Sequence, residues 1–457
     1  DSGSNGANES GWGSEANSEG ILGFALDADA GTLKYYWNNS LVRTDSTLTA
    51  NIEYFPSANL TNSGGNIWSV AYFNFGQDSS FAGTKTAQGN KDGNGIGDFY
   101  YSPPSGHLAL CSANLPEPTI GQNSATQAGN HFSTVLYTGN GSTQTVSGVG
   151  FKPDLVWKKS RSNVVHHTWT DAVRGVGKDL FSSSTSLESN DTNGVTAFTS
   201  DGFSMSSSTN HNVNSQTYVS WNWLGANTTA SNGTGATTST VSANQTAGFS
   251  IVSWTGTGSA TTLGHGLSAA PELVIVKNRT DSREWAIYNA INGATGQLYF
   301  TGGAFSSNSG SFNNTAPTST VFTVNSDQTT NESGDSMIAY CWHSVEGYSK
   351  IGQYVGNSNN DGPYVHTGFK PAWIMLKNTG ASANWRMHDI IRQPHNTGGG
   401  HLLQSNQASA EVTSEYDMDF LSNGFKIRSS DSYENGSGNT FLYLAFAKAP
   451  SKYSNAG

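Results

Sequence analysis

The sequence has few charged residues and no long apolar run. Only 12% of its 457 residues are charged, against about 25% in ordinary soluble proteins. Lys and Arg together number 22, the net charge is −11, and the scattered cations form no basic stripe, which argues against nucleic acid as a partner. No apolar run approaches the roughly 18 residues that a membrane-spanning helix needs, so membrane insertion is not expected either.

Cysteine is nearly missing, since the chain carries only Cys111 and Cys341. The two lie in what we interpret as different modules, so we expect them not to pair. A surface protein without disulfides is typical of folding in a reducing cytosol. Sustained helical periodicity is also missing, because no window of about a dozen residues keeps the apolar spacing of an amphipathic helix.

Glycine, hydroxyl and amide residues take the place of charge. Glycine accounts for 53 residues and aromatic residues for 11% of the chain. The aromatic content separates this composition from that of disordered chains, which have few aromatics and a high net charge. The composition therefore predicts a β-rich protein with a surface of hydroxyl and amide groups.

An apolar segment led by proline occurs three times, about a hundred residues apart. The copies follow Pro153, Pro271 and Pro371. Each copy has a candidate strand upstream, a tryptophan downstream and a closing apolar strand; the tryptophans are Trp169, Trp285 and Trp385. The period has the size of a small domain and exceeds the repeat of about 20–50 residues found in solenoids. Short apolar runs between turn residues predict core strands of a β-sandwich.

These patterns predict an all-β fold with several β-sandwich modules (jelly-roll or concanavalin-like) in tandem. We expect a polar leading segment at residues 1–20, a partial sandwich at 21–120, and repeats at 130–225, 248–345 and 346–450. Residues 226–247 are rich in Ser, Thr, Asn and Gly and read as a flexible linker. We expect the repeats to follow one another along a stiff rod.

The segment before the repeats resembles the later strands of a SPRY module, a concanavalin-like sandwich. The hairpin at Gly23–Asn39 and the strand Phe73–Gln77 carry this resemblance. The stretch Cys111–Pro118 resembles the end of SPRY-like modules in phage tail and virion proteins, where it often runs into repeats of the Phe-Lys-Pro-Asp-Leu-Val-Trp type. A complete SPRY module has further strands before the hairpin, so we expect the chain to begin partway through it.

The resemblance implies a non-enzymatic structural protein of a bacteriophage virion, assembled in the host cytoplasm. A tail fibre or projecting appendage that binds a host-surface glycan is the leading interpretation. Its partners would be other virion proteins and further copies of itself, with a trimer as the form that phage fibres imply. Two alternatives stay open: a capsid decoration protein, and a secreted glycan-active enzyme whose sandwiches are accessory binding modules.

Two groups of residues are candidates for a binding or metal site. Asp92, Asn94 and Asp98 lie in a glycine-rich loop and offer oxygen ligands at alternating positions, so they could hold calcium; an ordinary flexible loop is the alternative. Tyr35, Tyr36, Trp37 and Asn38 could stack on and hydrogen-bond to a sugar, or could pack in a core.

His166 and His167 lie near Trp169 and Asp171, but they lack the converging spacing of a zinc site and are interpreted as loop or edge-strand residues. No serine lies in the strand–turn–helix context of a catalytic nucleophile. We therefore predict no catalytic residue.

Overall fold

The computed structural model describes residues 20–48, 70–115, 117–121, 126–396, 400–413 and 418–450. Within these ranges the chain is built from antiparallel sheets, which confirms the all-β prediction. Its described helices are three α-helices of one turn each, Ser309–Phe312, Gln328–Asn331 and Ser432–Asn435, and two 3₁₀ turns, Ser112–Asn114 and Ala128–Asn130. The chain divides into two compact units, Asp1–Pro116 and Glu117–Gly457.

The first unit contains one antiparallel meander: β1 (Leu22–Asp27), β2 (Thr32–Trp37) and β3 (Ser40–Asp45). The prediction of a strand at Phe73–Gln77 is wrong. The side-chain oxygen of Asn74 accepts the backbone N–H groups of Gly76, at 2.8 Å, and Gln77, at 2.9 Å, and so folds the chain into a turn. Residues 49–69 of the partial sandwich expected at 21–120 lie outside the described residues.

The first repeat has a six-stranded sheet and a three-stranded sheet. The large sheet runs in the order β4-β12-β6-β7-β8-β9, and the small sheet in the order β10-β11-β5. The strands are β4 (Phe132–Thr138), β5 (Gln144–Val146), β6 (Leu155–Ser160), β7 (Thr168–Asp171), β8 (Lys178–Phe181), β9 (Ser189–Asn190), β10 (Val195–Thr199), β11 (Gly202–Met205) and β12 (Thr217–Trp223).

The second repeat follows the same plan, but its large sheet has two more strands and its small sheet one strand fewer. Its large sheet has the order β13-β14-β15-β22-β17-β18-β19-β20, and β16 pairs with β21. The strands are β13 (Ala230–Asn232), β14 (Ser239–Asn244), β15 (Phe249–Thr255), β16 (Thr261–Gly264), β17 (Leu273–Asn278), β18 (Ala286–Asn289), β19 (Gly293–Tyr299), β20 (Ser306–Ser307), β21 (Val321–Val324) and β22 (Ser336–Trp342).

The third repeat again has six strands in its large sheet and three in its small sheet, in the orders β23-β31-β25-β26-β27-β28 and β24-β30-β29. The strands are β23 (Ser349–Val355), β24 (Tyr364–His366), β25 (Phe369–Asn378), β26 (Arg386–Asp389), β27 (His401–Gln404), β28 (Val412–Thr413), β29 (Met418–Leu421), β30 (Gly424–Ile427) and β31 (Thr440–Pro450). Pro371 lies at a register shift in β25, where its missing N–H is tolerated.

The prediction of a flexible linker at residues 226–247 is wrong. Strands β13 and β14 lie in this segment, and β14 pairs with β15 from Thr240 to Asn244. Val241 is buried among the outer core residues of the second repeat. Because Ser239 and Val241 are buried and Thr240 between them is exposed, the strand β14 buries one face and extends the sheet.

Strand register aligns the three repeats residue by residue. Leu155 pairs with Asp171, Leu273 with Asn289, and Trp373 with Asp389. Counting back from the second residue of each pair, His167 occupies the position of Trp285 and Trp385. The sequence comparison that aligned Trp169 with Trp285 and Trp385 is therefore wrong by two residues.

The large sheets of all three repeats contribute to one aromatic core. Trp157 of the first repeat lies 6.2 Å from Trp373 of the third, and Trp169 lies 5.3 Å from Trp285 of the second, measured between ring centroids. Phe300 of the second repeat lies 5.4 Å from Trp385 of the third. The repeats therefore surround a common core, and the expectation of separate modules along a rod is wrong within this unit.

The opposite face of two of the large sheets packs on a small sheet of its own repeat. Val156 joins Phe203 in the first repeat, and Val274 joins Phe322 in the second. The strand β6 is consequently buried along its whole length, as is β17. Burial on both faces explains why the central strands are apolar runs without polar alternation.

Candidate functional site

Three equivalent backbone hydrogen bonds join the repeats into a closed ring. Each runs from the strand edge of one repeat to the carbonyl that follows the proline-led strand of the next. The N–H groups and their acceptors are Glu188 to Arg279 at 3.0 Å, Phe305 to Thr379 at 2.8 Å, and Glu411 to Arg161 at 2.8 Å. The first repeat thus contacts the second, the second the third, and the third the first. Because this head-to-tail contact closes after three repeats, neither of its two surfaces is left free for a further repeat.

The residues at the landmark tryptophan position cross the same junctions. The indole N–H of Trp285 donates to the carbonyl of Phe181 at 2.9 Å, and that of Trp385 donates to the carbonyl of Tyr299 at 2.8 Å. His167 lies beside the backbone of Gln404 at the third junction, but its Nε2 has no hydrogen-bond partner among the described residues. Burial, followed by the charges of Lys159 and Arg392, holds the pKa of His167 well below its ordinary value. A neutral imidazole therefore replaces an indole at the third junction.

Two of the three junctions also carry a bridging glutamate. Glu188 accepts from Arg279 of the second repeat at 2.8 Å and lies 3.3 Å from Arg174 of its own repeat. Burial alone would raise the pKa of Glu188, but the hydrogen bond from Arg279 and the charges of both arginines outweigh it and lower that pKa.

Glu411 repeats this arrangement between the third repeat and the first. It lies 2.7 Å from Arg161 and 2.9 Å from Arg392. The remaining junction has Phe305 and Thr379 at the equivalent positions. The described junction between the second and third repeats therefore lacks this bridge.

The densest buried titratable cluster lies between the two sheets of the first repeat. His211 Nε2 lies 2.6 Å from Asp179 Oδ2, its Nδ1 contacts the Lys158 amine, and Thr170 donates to Asp179 Oδ1 at 2.7 Å. Burial lowers the pKa of Lys158 to about 7. The side chains of Lys158, Asp179 and His211 are inaccessible to solvent, so the cluster is closed to a substrate.

The same position in the third repeat holds a different ionic set, in which Arg386 and His388 lie 2.9 and 3.1 Å from Glu434. Different charges at one position of two related sandwiches indicate a structural role. Asp191 also lies near His211, at 3.8 Å. Its Oδ2 accepts from Ser208 at 2.5 Å, so protein donors already engage this group of potential metal ligands.

The predicted calcium loop is organised by hydrogen-bond donors. Asp92 Oδ1 accepts the N–H groups of Asn94 and Ile96, and its Oδ2 accepts from the Ala109 N–H and the Asn114 amide, at 2.7 to 2.9 Å. The backbone hydrogen bond from Ala109 is the largest of the effects that lower the pKa of Asp92 to about 2. A carboxylate that faces four N–H groups does not fit a cation.

The other two members of that group are also engaged elsewhere. The amide of Asn94 donates to Asn114 at 3.0 Å. The carboxylate of Asp98 is hydrogen-bonded by Ser79, and its Oδ1 is buried without a partner among the described residues. The sequence spacing predicted that these three residues hold one ion together. In the structure, Asp92 instead holds the loop closed through its hydrogen bonds.

The candidate sugar-binding residues lie on β2 and its following turn. Tyr35 packs edge-on against Phe24 at 5.5 Å, and the guanidinium of Arg43 lies 5.8 Å from the Tyr35 ring. Asn38 accepts the N–H of Ile21 at 2.9 Å through its side chain. Tyr36 and Trp37 are half-buried. Because side chains alternate along a strand, Tyr36 faces away from Tyr35 and Trp37, and sugar binding here stays a prediction.

His166 and the cysteines take part in no described metal site. His166 Nδ1 lies 3.0 Å from the Ser183 hydroxyl, and its ring packs on Phe181. Cys111 and Cys341 are both free, as predicted. Burial raises the pKa of Cys341 far above its ordinary value.

An open cleft of about 510 Å³ lies at the junction of the first and second repeats. Thr185 of the first repeat forms one side. The second repeat supplies Ser282, Arg283, Glu284, Ser326, Asp327, Gln328 and Thr329. Sequence reasoning missed this site because its lining comes from two loops and a one-turn helix that are far apart in the sequence. The sequence held one indication of a binding site here, because the three repeats differ most in the segments between their strands.

A family described as "Domain of unknown function (DUF7483)" matches residues 127–450. The chain belongs to this family. The DUF7483 match begins just before β4 and ends with β31, so it contains all three repeats. The family domain thus corresponds to the closed ring, and the β1–β3 meander lies outside it.

Comparison with curated proteins found no match, and comparison with solved structures found none. Among the described residues of the chain, no helix is long and apolar enough to span a membrane. The physical features of the DUF7483 ring must therefore carry the functional argument.

Proposed function

We propose that the chain is a non-enzymatic structural protein of a bacteriophage virion, part of a tail fibre or projecting appendage that binds a host-surface glycan. The observation that carries this proposal is the closure of three repeats around one aromatic core. Such a ring is a rigid platform, because its junctions combine buried rings, backbone hydrogen bonds and charge-assisted contacts. Rigidity without disulfides suits a particle protein that folds in the cytosol and works outside it.

The placement of ionisable groups supports a binding role over a catalytic one. The Lys158–His211–Asp179 cluster has the residue types of acid–base chemistry, but it lies between two sheets and out of contact with solvent. The Arg386–Glu434 pair of the third repeat is buried in the same way. The surface instead offers hydroxyl and amide groups, which recognise polar ligands by hydrogen bonding.

Assembly with further copies remains part of the proposal, and the ring limits how it could occur. The head-to-tail surfaces of the repeats are already used within one chain. A trimer of the chain would therefore have to form through other surfaces.

Immunogold labelling of phage particles that encode this chain tests the virion assignment. Gold on the tail or its appendages is the expected result. Label spread evenly over the capsid would replace the appendage with a decoration protein. No label on intact particles, with the protein free in the lysate, would reject the virion assignment and favour a secreted protein.

A further inference from the structure

We infer that the cleft between the first and second repeats binds a neutral polyhydroxyl ligand, a sugar unit of a polysaccharide. This inference rests on the proposed binding function and assigns it to a place. The volume of about 510 Å³ falls within the range of about 300–1,000 Å³ that is usual for small-ligand sites. All eight lining residues carry a hydroxyl, amide, carboxyl or guanidinium group, so an apolar ligand would find no matching surface.

The cleft offers both a donor and an acceptor with free hydrogen-bonding capacity. Arg283 uses Nε and Nη2 to hold Glu332, at 3.0 to 3.1 Å, and its Nη1 has no partner among the described residues. Gln328 is exposed in the cleft, and its side-chain amide, whose oxygen is an acceptor, makes no hydrogen bond with the described residues. One sugar hydroxyl can accept from Arg283, and an adjacent hydroxyl can donate to the side-chain oxygen of Gln328.

The cleft has no surplus of positive charge, which argues against an anionic ligand. The Arg283 guanidinium is neutralised by its forked contact with Glu332. Asp327 adds a carboxylate that accepts from Thr329 and Asn308, at 2.5 to 2.8 Å. Burial raises the pKa of Glu284. A phosphate would therefore find no free cation to pair with.

Hydrogen bonds across the junction hold the two sides of the cleft in fixed positions. The amine of Lys277 donates to the carbonyls of Thr185, at 3.1 Å, and Arg283, at 2.6 Å. The N–H of Leu187 donates to the Ser282 hydroxyl at 3.3 Å. A site with fixed walls does not have to be ordered on binding, which lowers the free-energy cost of association.

The other repeats show that the lining is not required by the fold. By strand register, Arg283 and Glu284 correspond to Val165 and His166 in the first repeat and to Ala383 and Asn384 in the third. The scaffold thus accepts apolar and neutral residues at these positions. Among the three repeats, the pair Arg283 and Glu284 therefore occurs only in the second repeat, which lines most of the cleft.

The internal repeat supplies a matched control for the test. Gln328 is exposed in the cleft, and Ser432 is its exposed counterpart in the third repeat. The full chain and the variants Gln328→Trp and Ser432→Trp should be applied to an array of bacterial surface polysaccharides. A second pair, Ser326→Trp and Ser430→Trp, changes another exposed cleft position and its counterpart, in case the first substitution disturbs folding.

We expect the unmodified chain to bind at least one arrayed polysaccharide. Gln328→Trp and Ser326→Trp should weaken that binding at least tenfold, while the variants at Ser432 and Ser430 stay within twofold. If the cleft variants bind like the unmodified chain, the cleft assignment is overturned but glycan binding stands. If the unmodified chain binds no polysaccharide, both the cleft assignment and the glycan-binding part of the proposed function fail. The virion assignment is decided separately by immunogold labelling.

Discussion

Arg279 of the second repeat donates from Nε to Glu188 of the first repeat at 2.8 Å, and the backbones of the same two residues are joined by a hydrogen bond of 3.0 Å. One residue pair therefore links two repeats through both side chain and backbone. The guanidinium of Arg174, which is buried, approaches the same carboxylate. This convergence makes Glu188 the residue whose removal tests how much a junction contributes to stability.

Replacing Glu188 with alanine should lower the free energy of unfolding by about 2–3 kcal/mol, because two guanidinium groups lose a charge-assisted partner and one of them stays buried. Urea unfolding followed by tryptophan fluorescence measures this change. Asp361→Asn is the control, since Asp361 forms an ion pair with Lys426 at 2.7 Å but is largely exposed, and it should cost much less stability than Glu188→Ala. Equal losses in the two variants would contradict a special role for the junction.

The three repeats should unfold as one unit, because their tryptophans share a core. Trp373 of the third repeat contacts Phe132, Trp157 and Trp223 of the first. Trp373→Ala should therefore cost about 3–5 kcal/mol and reduce the hydrogen-exchange protection of β6 and β12 in the first repeat as well as that of β25. Protection in β6 and β12 that stays at the level of the unmodified chain would show that the repeats are independent.

The secondary structure of each repeat was accessible from the sequence, because local rules determine it. The proline-led runs form β6, β17 and β25. Asp201 and Asn423 lie at the turns of β-hairpins, as their Asp-Gly and Asn-Gly dipeptides suggest. The tandem repeat was also visible. These features depend on residues close together in sequence, whose turn and strand preferences act without help from distant parts of the chain.

The ring was harder to predict, because the residues that close it are not the same at all three junctions. Glu188 and Glu411 share a residue type, but Phe305 takes the equivalent place at the remaining junction. A physical signal was nevertheless present in the strands. A sandwich strand with one solvent face should alternate, whereas Leu155–Trp157 and Leu273–Val276 are continuously apolar. Continuous burial required a second covering layer, which the other repeats supply.

Stability should increase with pH between about 8 and 9 because of three equivalent buried lysines. Lys159, Lys277 and Lys377 are inaccessible to solvent, and burial lowers the pKa of each to about 8. An unfolded lysine keeps its proton up to a pKa of about 10.4. Between these values the unfolded state binds more protons than the folded state, so raising the pH favours folding.

Urea midpoints at pH 7, 8 and 9 measure this effect. In Lys377→Met the increase from pH 8 to 9 should be smaller than in the unmodified chain, while the control Lys448→Met, at an exposed lysine, should keep it in full. Above pH 9 the Cys341 thiol opposes the trend, because its raised folded pKa makes the unfolded state release a proton first. A urea midpoint that does not change from pH 8 to 9 would show that the lysines do not titrate as buried groups.

Calcium should leave the first unit unchanged, whereas loss of the Asp92 carboxylate should open its loop. In Asp92→Asn the amide replaces one accepting oxygen with a donor, which then faces the N–H of Ala109 or of Ile96. Limited proteolysis should therefore cut between residues 92 and 114 faster in the variant than in the unmodified chain. Asp29→Asn, in the exposed turn between β1 and β2, is the control and should not change the cleavage rate.

The same digestion with millimolar calcium or with a chelator separates the two explanations of the loop. If four N–H donors hold Asp92 in place, the unmodified chain should be cut at the same rate under both conditions. Protection by calcium that the chelator reverses, and that Asp92→Asn abolishes, would restore the calcium site predicted from the spacing of Asp92, Asn94 and Asp98. Because the folded pKa of Asp92 is about 2, its stabilising contribution should persist to acidic pH and disappear only between about pH 4 and 2.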